Sequence, residues 1–369
     1  MVGAGPAGLA IAACLKKAGA PFLLIEKSPK LGWAWRNHYE RLHLHTVKEH
    51  SGLPYFPFPK DFPRYVPRDK VVEYLDQYAA EFGIEPKCGV EVKWIRRSDD
   101  KWNVETSAGD YTADRVVICT GYNRRPLRPS WPGQDRFQGE ILHSHDYRNG
   151  EPFRGRRVLV VGIGNTGGEI AIDLHEHGAE PSICVRGPIH IVPRDALGTP
   201  TQVTSIMLDK LPEPIGARVS KFLQRLLAED LSQYGIRYRD TSPLLDVNRE
   251  GRVPLIDVGT VGLIKEGRLK VAPGIERFTE NTIVFADGQE HPFDAVILAT
   301  GYRPGLDDFL ENAEALVDDR GYPKALDGPA APGLYFLGFK NPVSGFLRQI
   351  NIDARALAKR IARESRAVV

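Results

Sequence analysis

Two glycine runs carry the strongest chemical signal in this chain. The first is Gly3-Ala4-Gly5-Pro6-Ala7-Gly8, followed by apolar residues at helical spacing, Leu9, Ile11, Ala12 and Leu15. After Gly19 comes a short apolar run, Phe22 to Ile25, that ends on Glu26. Glycines so spaced permit a tight turn and a close backbone approach, and the helix start that follows points free N–H groups at a pyrophosphate. An acid about 20 residues further on can accept hydrogen bonds from a ribose, and Glu26 stands at that distance. This is the chemistry of dinucleotide binding.

The second run is Gly162-Ile163-Gly164-Asn165-Thr166-Gly167-Gly168, preceded by the apolar stretch Val158 to Val161. A helix is predicted from Glu169 to His177, and the next strand, Ser182 to Val185, ends on Arg186 rather than on an acid. A carboxylate there would repel a 2′-phosphate, whereas a guanidinium pairs with it, so this site is expected to prefer NADPH to NADH.

Both loops need strands beside them. Asp114 to Tyr122 and Asp294 to Tyr302 echo one another, each an apolar run halted by Thr-Gly, at Thr120-Gly121 and Thr300-Gly301. Such runs suit strands of a parallel sheet covered on both faces. The expected fold is therefore α/β, with two dinucleotide-binding, Rossmann-like domains, one inserted into the other. Residues 1–150 and 303–369 would form the first domain and 151–302 the second. The proline-rich stretch 54–67 reads as a covering loop, and 68–82 as a helix stopped by Gly83. Residues 203–234 read as largely helical and, given Pro212, Pro214 and their acids, as packing within a domain rather than on a membrane surface or a partner.

Composition narrows the function classes. Across 369 residues, 49 Lys and Arg face 47 Asp and Glu, a net charge of +2 that argues against coating nucleic acid or acidic membranes. Hydrophobic residues at 42% can bury a core, and no run is long enough to span a bilayer. The four cysteines, Cys14, Cys88, Cys119 and Cys184, form no Cys-x-x-Cys, which disfavours a disulfide framework, a zinc knuckle and a redox pair. His43 and His45, like His143 and His145, alternate without neighbouring cysteines or clustered acids, so no metal site is expected. A glycine loop beginning at Gly3 leaves no room for a signal peptide, and the chain reads as cytoplasmic.

Phe137, Gly139, His143 and Tyr147 match the F-x-G-x-x-x-H-x-x-x-[YF] pattern of class B flavin-containing monooxygenases, just ahead of the second glycine loop. Within that family the chain is similar to the plant YUCCA branch, at Tyr39–His45, Pro57–Pro63, His190–Arg194, Asp257–Gly259 and Val271–Phe278. The resemblance implies FAD on Gly3, Gly5, Pro6, Ala7, Gly8 and Glu26, with Trp35 and Arg36 beside the flavin. It implies NADPH on Gly162, Gly164, Asn165, Thr166, Gly167 and Arg186. Thr120, Gly121, Thr300 and Gly301 join the cofactor-binding positions. His45, where heteroatom-oxidising relatives carry Asn, and Lys48 are the catalytic candidates. The activity implied is formation of a peroxyflavin from dioxygen and oxidative decarboxylation of an aryl 2-oxo acid, such as indole-3-pyruvate to indole-3-acetate. Heteroatom oxygenation and Baeyer-Villiger oxidation of another small substrate are the alternatives. Because only Met1 and Val2 precede Gly3, the first sheet is expected to lack most of its central strand, with weaker FAD binding. Two other classes share these loops. A flavin disulfide reductase needs the paired cysteine that is missing, and a silent cofactor-binding protein would show no NADPH-dependent oxygen consumption.

Overall fold

The computed structural model describes residues 1–196 and 198–366, which divide into two compact units. The first gathers Met1–Asn37, Thr46–Arg125 and the chain from Tyr302, and the second His38–His45 and Pro126–Gly301.

The first unit is built on a parallel sheet of very short strands. Val2 bridges both Ile25 and Ile118, its N–H donating to the Val117 carbonyl at 2.9 Å while the Cys119 N–H donates to its own carbonyl at 2.8 Å. Gly3 donates to Ile25 at 2.8 Å, and Ile25 to Met1 at 3.0 Å. Of the central strand only a remnant is present, as expected: Val2 alone forms bridges, with Met1 and Gly3 adding one hydrogen bond each to Ile25. Both sides of this remnant are laddered. Strand Val116–Ile118 pairs outward with Leu334–Phe336, and Ile25 with Lys87. The expected strand Phe22–Ile25 shrinks to its last residue. Helix Pro6–Lys17 is buried from Ala7 to Leu15, which explains why its apolar residues run almost all the way round.

The second unit holds a five-stranded parallel sheet in the order Lys270–Ala272, Glu180–Cys184, Arg157–Val161, Ala295–Leu298, Glu140–His143. Alternate side chains divide its two faces. Val158, Val160, Ala295 and Ile297 pack with Ile170, Ala171 and Leu174 of helix Asn165–Glu176. Leu159, Val161, Val296 and Leu298 pack with Phe278, Ile283 and Phe285 of an antiparallel meander. Because Glu140–His143 ladders onto Ala295–Leu298, the chain joins this unit from Pro126, not from the boundary near residue 150 that local Gly and Pro usage had suggested. Strand pairing outweighs loop punctuation. The segment His38–His45 joins it too, with Tyr39 buried in its core.

Residues 203–234 are helical as expected, in Thr201–Leu208 and Glu213–Leu227. Their packing is not as expected. Helix Glu213–Leu227 buries only Gly216, Ala217 and Gln224, while Ile215, Val219, Phe222 and Leu226 face outward. Among the described residues no helix is long and apolar enough to cross a membrane.

Candidate cofactor cradles and active-site residues

The two glycine loops are near copies in space as well as in sequence. A Cβ on Gly3 would lie 2.8 Å from the Cys119 carbonyl oxygen, and one on Gly162 2.7 Å from that of Ala299. Both residues sit at positive φ, +99° and +111°. The third glycine of each loop is tighter still, since a Cβ on Gly8 or Gly167 would come within 1.9 Å of the Gly3 or Gly162 carbonyl oxygen. Only the middle glycines, Gly5 and Gly164, have nothing within 4 Å. Outer glycines let helix and strand pack; the middle one leaves room at a helix N-terminus whose first N–H groups have no intrahelical acceptor. Each loop fits a pyrophosphate.

The first cradle has further fittings. Glu26 is buried, its Oε2 accepting the Ala4 N–H at 2.8 Å and its Oε1 the Ser28 N–H at 2.9 Å. Each oxygen keeps a lone pair for a hydroxyl. Thr120 Oγ1 is buried with no partner, immediately after the strand on which Gly3 rests. Its sequence counterpart differs, since Thr300 Oγ1 donates to the Leu127 carbonyl at 2.5 Å. Gly121 and Gly301 adopt the same positive φ, +70° and +86°. The short helix Trp33–Arg36 is set by Gly32, whose N–H donates to Ala4 at 2.9 Å and so brings Trp35 and Arg36 beside the loop. Arg36 is engaged by the Leu31 carbonyl at 2.8 Å and by the Asp76 carboxylate.

In the second unit Asn165 Oδ1 accepts the Ile256 N–H at 2.7 Å, which ties the loop to strand Leu255–Asp257. Thr166 occupies the first turn of the helix. Arg186 is exposed beyond the end of strand Glu180–Cys184 and forms no ion pair among the described residues.

The family-pattern residues are architectural. Phe137 meets Phe278 edge-on with ring centres 5.3 Å apart, and a Cβ on Gly139 would strike the Phe137 ring at 2.5 Å. Tyr147 donates to Asp173 Oδ2 at 2.5 Å. His143 is fully buried, its Nδ1 accepting the His145 N–H at 3.0 Å and its Nε2 donating to the Gly301 carbonyl at 3.2 Å. Burial pulls its pKa down to about 4. A histidine that stays neutral when folded favours the unfolded state once protons become available. Stability from this group is therefore full above pH ~6.5 and lost as pH falls towards 4, by on the order of 3 kcal/mol. His143→Asn should flatten that part of the urea-unfolding profile; an unchanged slope would contradict the assignment.

The catalytic candidates separate. Lys48 donates to the Pro59 carbonyl at 3.5 Å, to that of Lys60 at 2.6 Å and to that of Phe62. All three ammonium protons clamp the proline-rich stretch, which leaves none for a substrate. The same stretch is fastened from below, where Phe58 stacks on Tyr74 at 3.9 Å and the Tyr74 hydroxyl donates to the Phe56 carbonyl at 2.6 Å. His45 behaves differently. Its Nε2 pairs with Oε1 of Glu169, a buried carboxylate on helix Asn165–Glu176, while its Nδ1 is buried and has no partner. In the sequence Glu169 stands out only as the start of a helix. Its signal was an acid placed directly behind a phosphate-type glycine loop, where a phosphate site alone has no use for one. Cys119 and Cys184 are inert by contrast, burial pushing the first up to about 12 and the second up to about 11.

A family model described as FMO-like, flavin-binding monooxygenase-like, matches residues 1–362. Indole-3-pyruvate monooxygenase YUCCA1 of Oryza sativa subsp. japonica is 38% identical over 349 residues, covering 92% of this chain and 86% of that protein. Probable indole-3-pyruvate monooxygenase YUCCA3 of Arabidopsis thaliana is 35% identical over 379 residues, covering 98% and 86%. Among solved structures, a flavin-containing monooxygenase from Stenotrophomonas maltophilia superposes with a TM-score of 0.77 at 22% identity, covering 99% of this chain and 97% of its own.

Proposed function

The chain belongs to the flavin-binding monooxygenase-like family, and from that premise we propose that this flavin monooxygenase oxidatively decarboxylates an aryl 2-oxo acid, with indole-3-pyruvate as the type substrate. The balance is one 2-oxo acid, dioxygen, NADPH and a proton giving the acid one carbon shorter, carbon dioxide, NADP⁺ and water. FAD and NADPH, when bound, supply the electrons and the oxygen chemistry. FAD is assigned to the first unit, where Glu26 and the free Thr120 hydroxyl surround an open Gly5. NADPH is assigned to the second, around Gly164, Asn165 and Arg186.

The observation that carries the substrate reading is the His45–Glu169 pair. A buried carboxylate on Nε2 fixes the ring and aims Nδ1, which in the imidazolium form presents a proton to an anionic or carbonyl oxygen. A 2-oxo acid offers both. Donation to the ketone oxygen polarises the carbonyl for nucleophilic attack, and donation to the carboxylate orients it for loss as carbon dioxide. Lys48 holds the proline-rich stretch over its own unit and excludes water without taking part in proton transfer.

A panel of 2-oxo acids, tertiary amines, sulfides and cyclic ketones, scored by product mass under dioxygen, tests the reading. Aryl 2-oxo acids should turn over to the shortened acid. Products confined to N-oxides, S-oxides or lactones would overturn it. The cofactor assignment carries its own expectation: Arg186→Ala should raise KM for NADPH by ~10- to 100-fold, matching the 1–3 kcal/mol of a charge-assisted pair, and leave NADH almost unaffected. Equal use of NADH and NADPH by the unmodified protein would remove Arg186 from the site.

A further inference from the structure

Helix Glu213–Leu227, the turn before it and the end of helix Thr201–Leu208 present an apolar stripe to solvent. Met207, Leu211, Ile215, Val219, Phe222 and Leu226 are 62%, 42%, 50%, 36%, 64% and 66% exposed. This outward face is fixed by what lies behind it. Gly216, Ala217 and Gln224 are buried on the opposite side, a Cβ on Gly216 would lie 2.8 Å from the Leu208 carbonyl oxygen, and Gln224 Nε2 donates to His190 Nδ1 at 2.7 Å. The helix cannot roll its stripe inward without breaking that packing. Solvated single apolar residues need no explanation; four on one face of a single helix, opposite its packed side, do.

The charges beside the stripe say what covers it. At helical spacing Arg218, Lys221 and Arg225 line one flank, and the only acid on this helix, Glu213, is paired with Arg249. Lys221 and Arg225 share exposed Asp240 at 2.9 and 3.1 Å, and Arg218 forms no ion pair among the described residues. Residues 215, 219, 222 and 226 also follow the four-three-four spacing of a helix–helix seam. Joining two copies antiparallel along that seam would bring Arg218, Lys221 and Arg225 of one beside those of the other, and the helix's own acid, Glu213, is already paired. A surface that is apolar within and anionic at its rim satisfies both features. We propose that helix Glu213–Leu227 is an interfacial anchor that lies flat on a membrane surface containing anionic lipid, with Phe222 and Leu226 in the acyl boundary and Arg218 and Arg225 among the headgroups.

Co-sedimentation of the full-length, FAD-loaded protein with vesicles tests this. Vesicles of phosphatidylcholine with roughly 30 mol% phosphatidylserine should bind it at least ~10-fold more strongly than phosphatidylcholine alone, and high salt should remove the difference. Arg218→Glu with Arg225→Glu should weaken binding by ~25-fold or more, and Phe222→Ser with Leu226→Ser should abolish it. Both variants change exposed positions, so flavin content and NADPH oxidation should match the parent protein. Absence of binding to the anionic vesicles, or unaltered binding by the Phe222/Leu226 variant, would overturn the proposal. So would a solution dimer that the Phe222/Leu226 variant dissolves, since the stripe would then belong to a second copy.

Discussion

Gly5→Ala is expected to yield a folded protein that purifies without its flavin, whereas Gly164→Ala should stay yellow and be reduced slowly by NADPH. The two middle glycines are the only members of their loops at which a Cβ meets nothing of the protein within 4 Å. A methyl group there leaves the chain's own packing untouched and occupies the space where a pyrophosphate approaches the helix N-terminus. Overpacking of that kind costs ~1–3 kcal/mol, or roughly 10- to 100-fold in cofactor affinity. Gly8→Ala and Gly167→Ala are different, because the added Cβ would overlap a backbone carbonyl at 1.9 Å and the helix would have to leave the strand. Those variants should fail to fold well. Flavin absorbance per protein, circular dichroism and stopped-flow reduction separate the outcomes. Loss of flavin from Gly164→Ala with retention by Gly5→Ala would reverse the cofactor assignment of the two units.

The second large effect is expected at His45 and Glu169. His45→Ala and Glu169→Gln should each lower product-forming kcat by ~10²- to 10³-fold, within the range for a positioned proton donor, while flavin reduction by NADPH proceeds at its normal rate. NADPH would then be consumed without product. Glu169 acts through His45 and is a positioning residue, so the double variant should be little worse than either single one. Additive losses would contradict the pairing. Slowed flavin reduction, or a raised KM for NADPH with kcat intact, would instead make Glu169 part of the packing behind the second glycine loop.

The glycine loops were legible because backbone sterics allow few residues at those positions. The same holds for the Thr-Gly strand ends and for Glu26, whose spacing the loop dictates. What was not legible depends on distant partners. Residues 126–150 carry no mark that Glu140–His143 will ladder onto Ala295–Leu298 rather than stay with the preceding unit. That the remnant Val2 bridges both Ile25 and Ile118 likewise depends on partners distant in the chain. Lys48 looked like a catalytic cation because its three carbonyl partners lie in an irregular loop whose path no periodicity encodes. The apolar residues of helix Glu213–Leu227 show a face in the sequence, but not whether that face turns inward or outward. Glu169 was visible as a residue and invisible as a partner, since His45 lies more than a hundred positions earlier.

The measurement that tests the central claim most directly is turnover of indole-3-pyruvate with NADPH under oxygen-18 gas, followed by mass analysis of the product. The expected product is indole-3-acetate carrying one labelled oxygen in its carboxylate, the other coming from the original ketone. One carbon dioxide, derived from the substrate carboxyl group, is expected for each NADPH consumed by coupled turnover. Recovery of unlabelled indole-3-acetate, or of intact 2-oxo acid alongside a labelled sulfoxide or N-oxide from a competing thioether or tertiary amine, would contradict that claim.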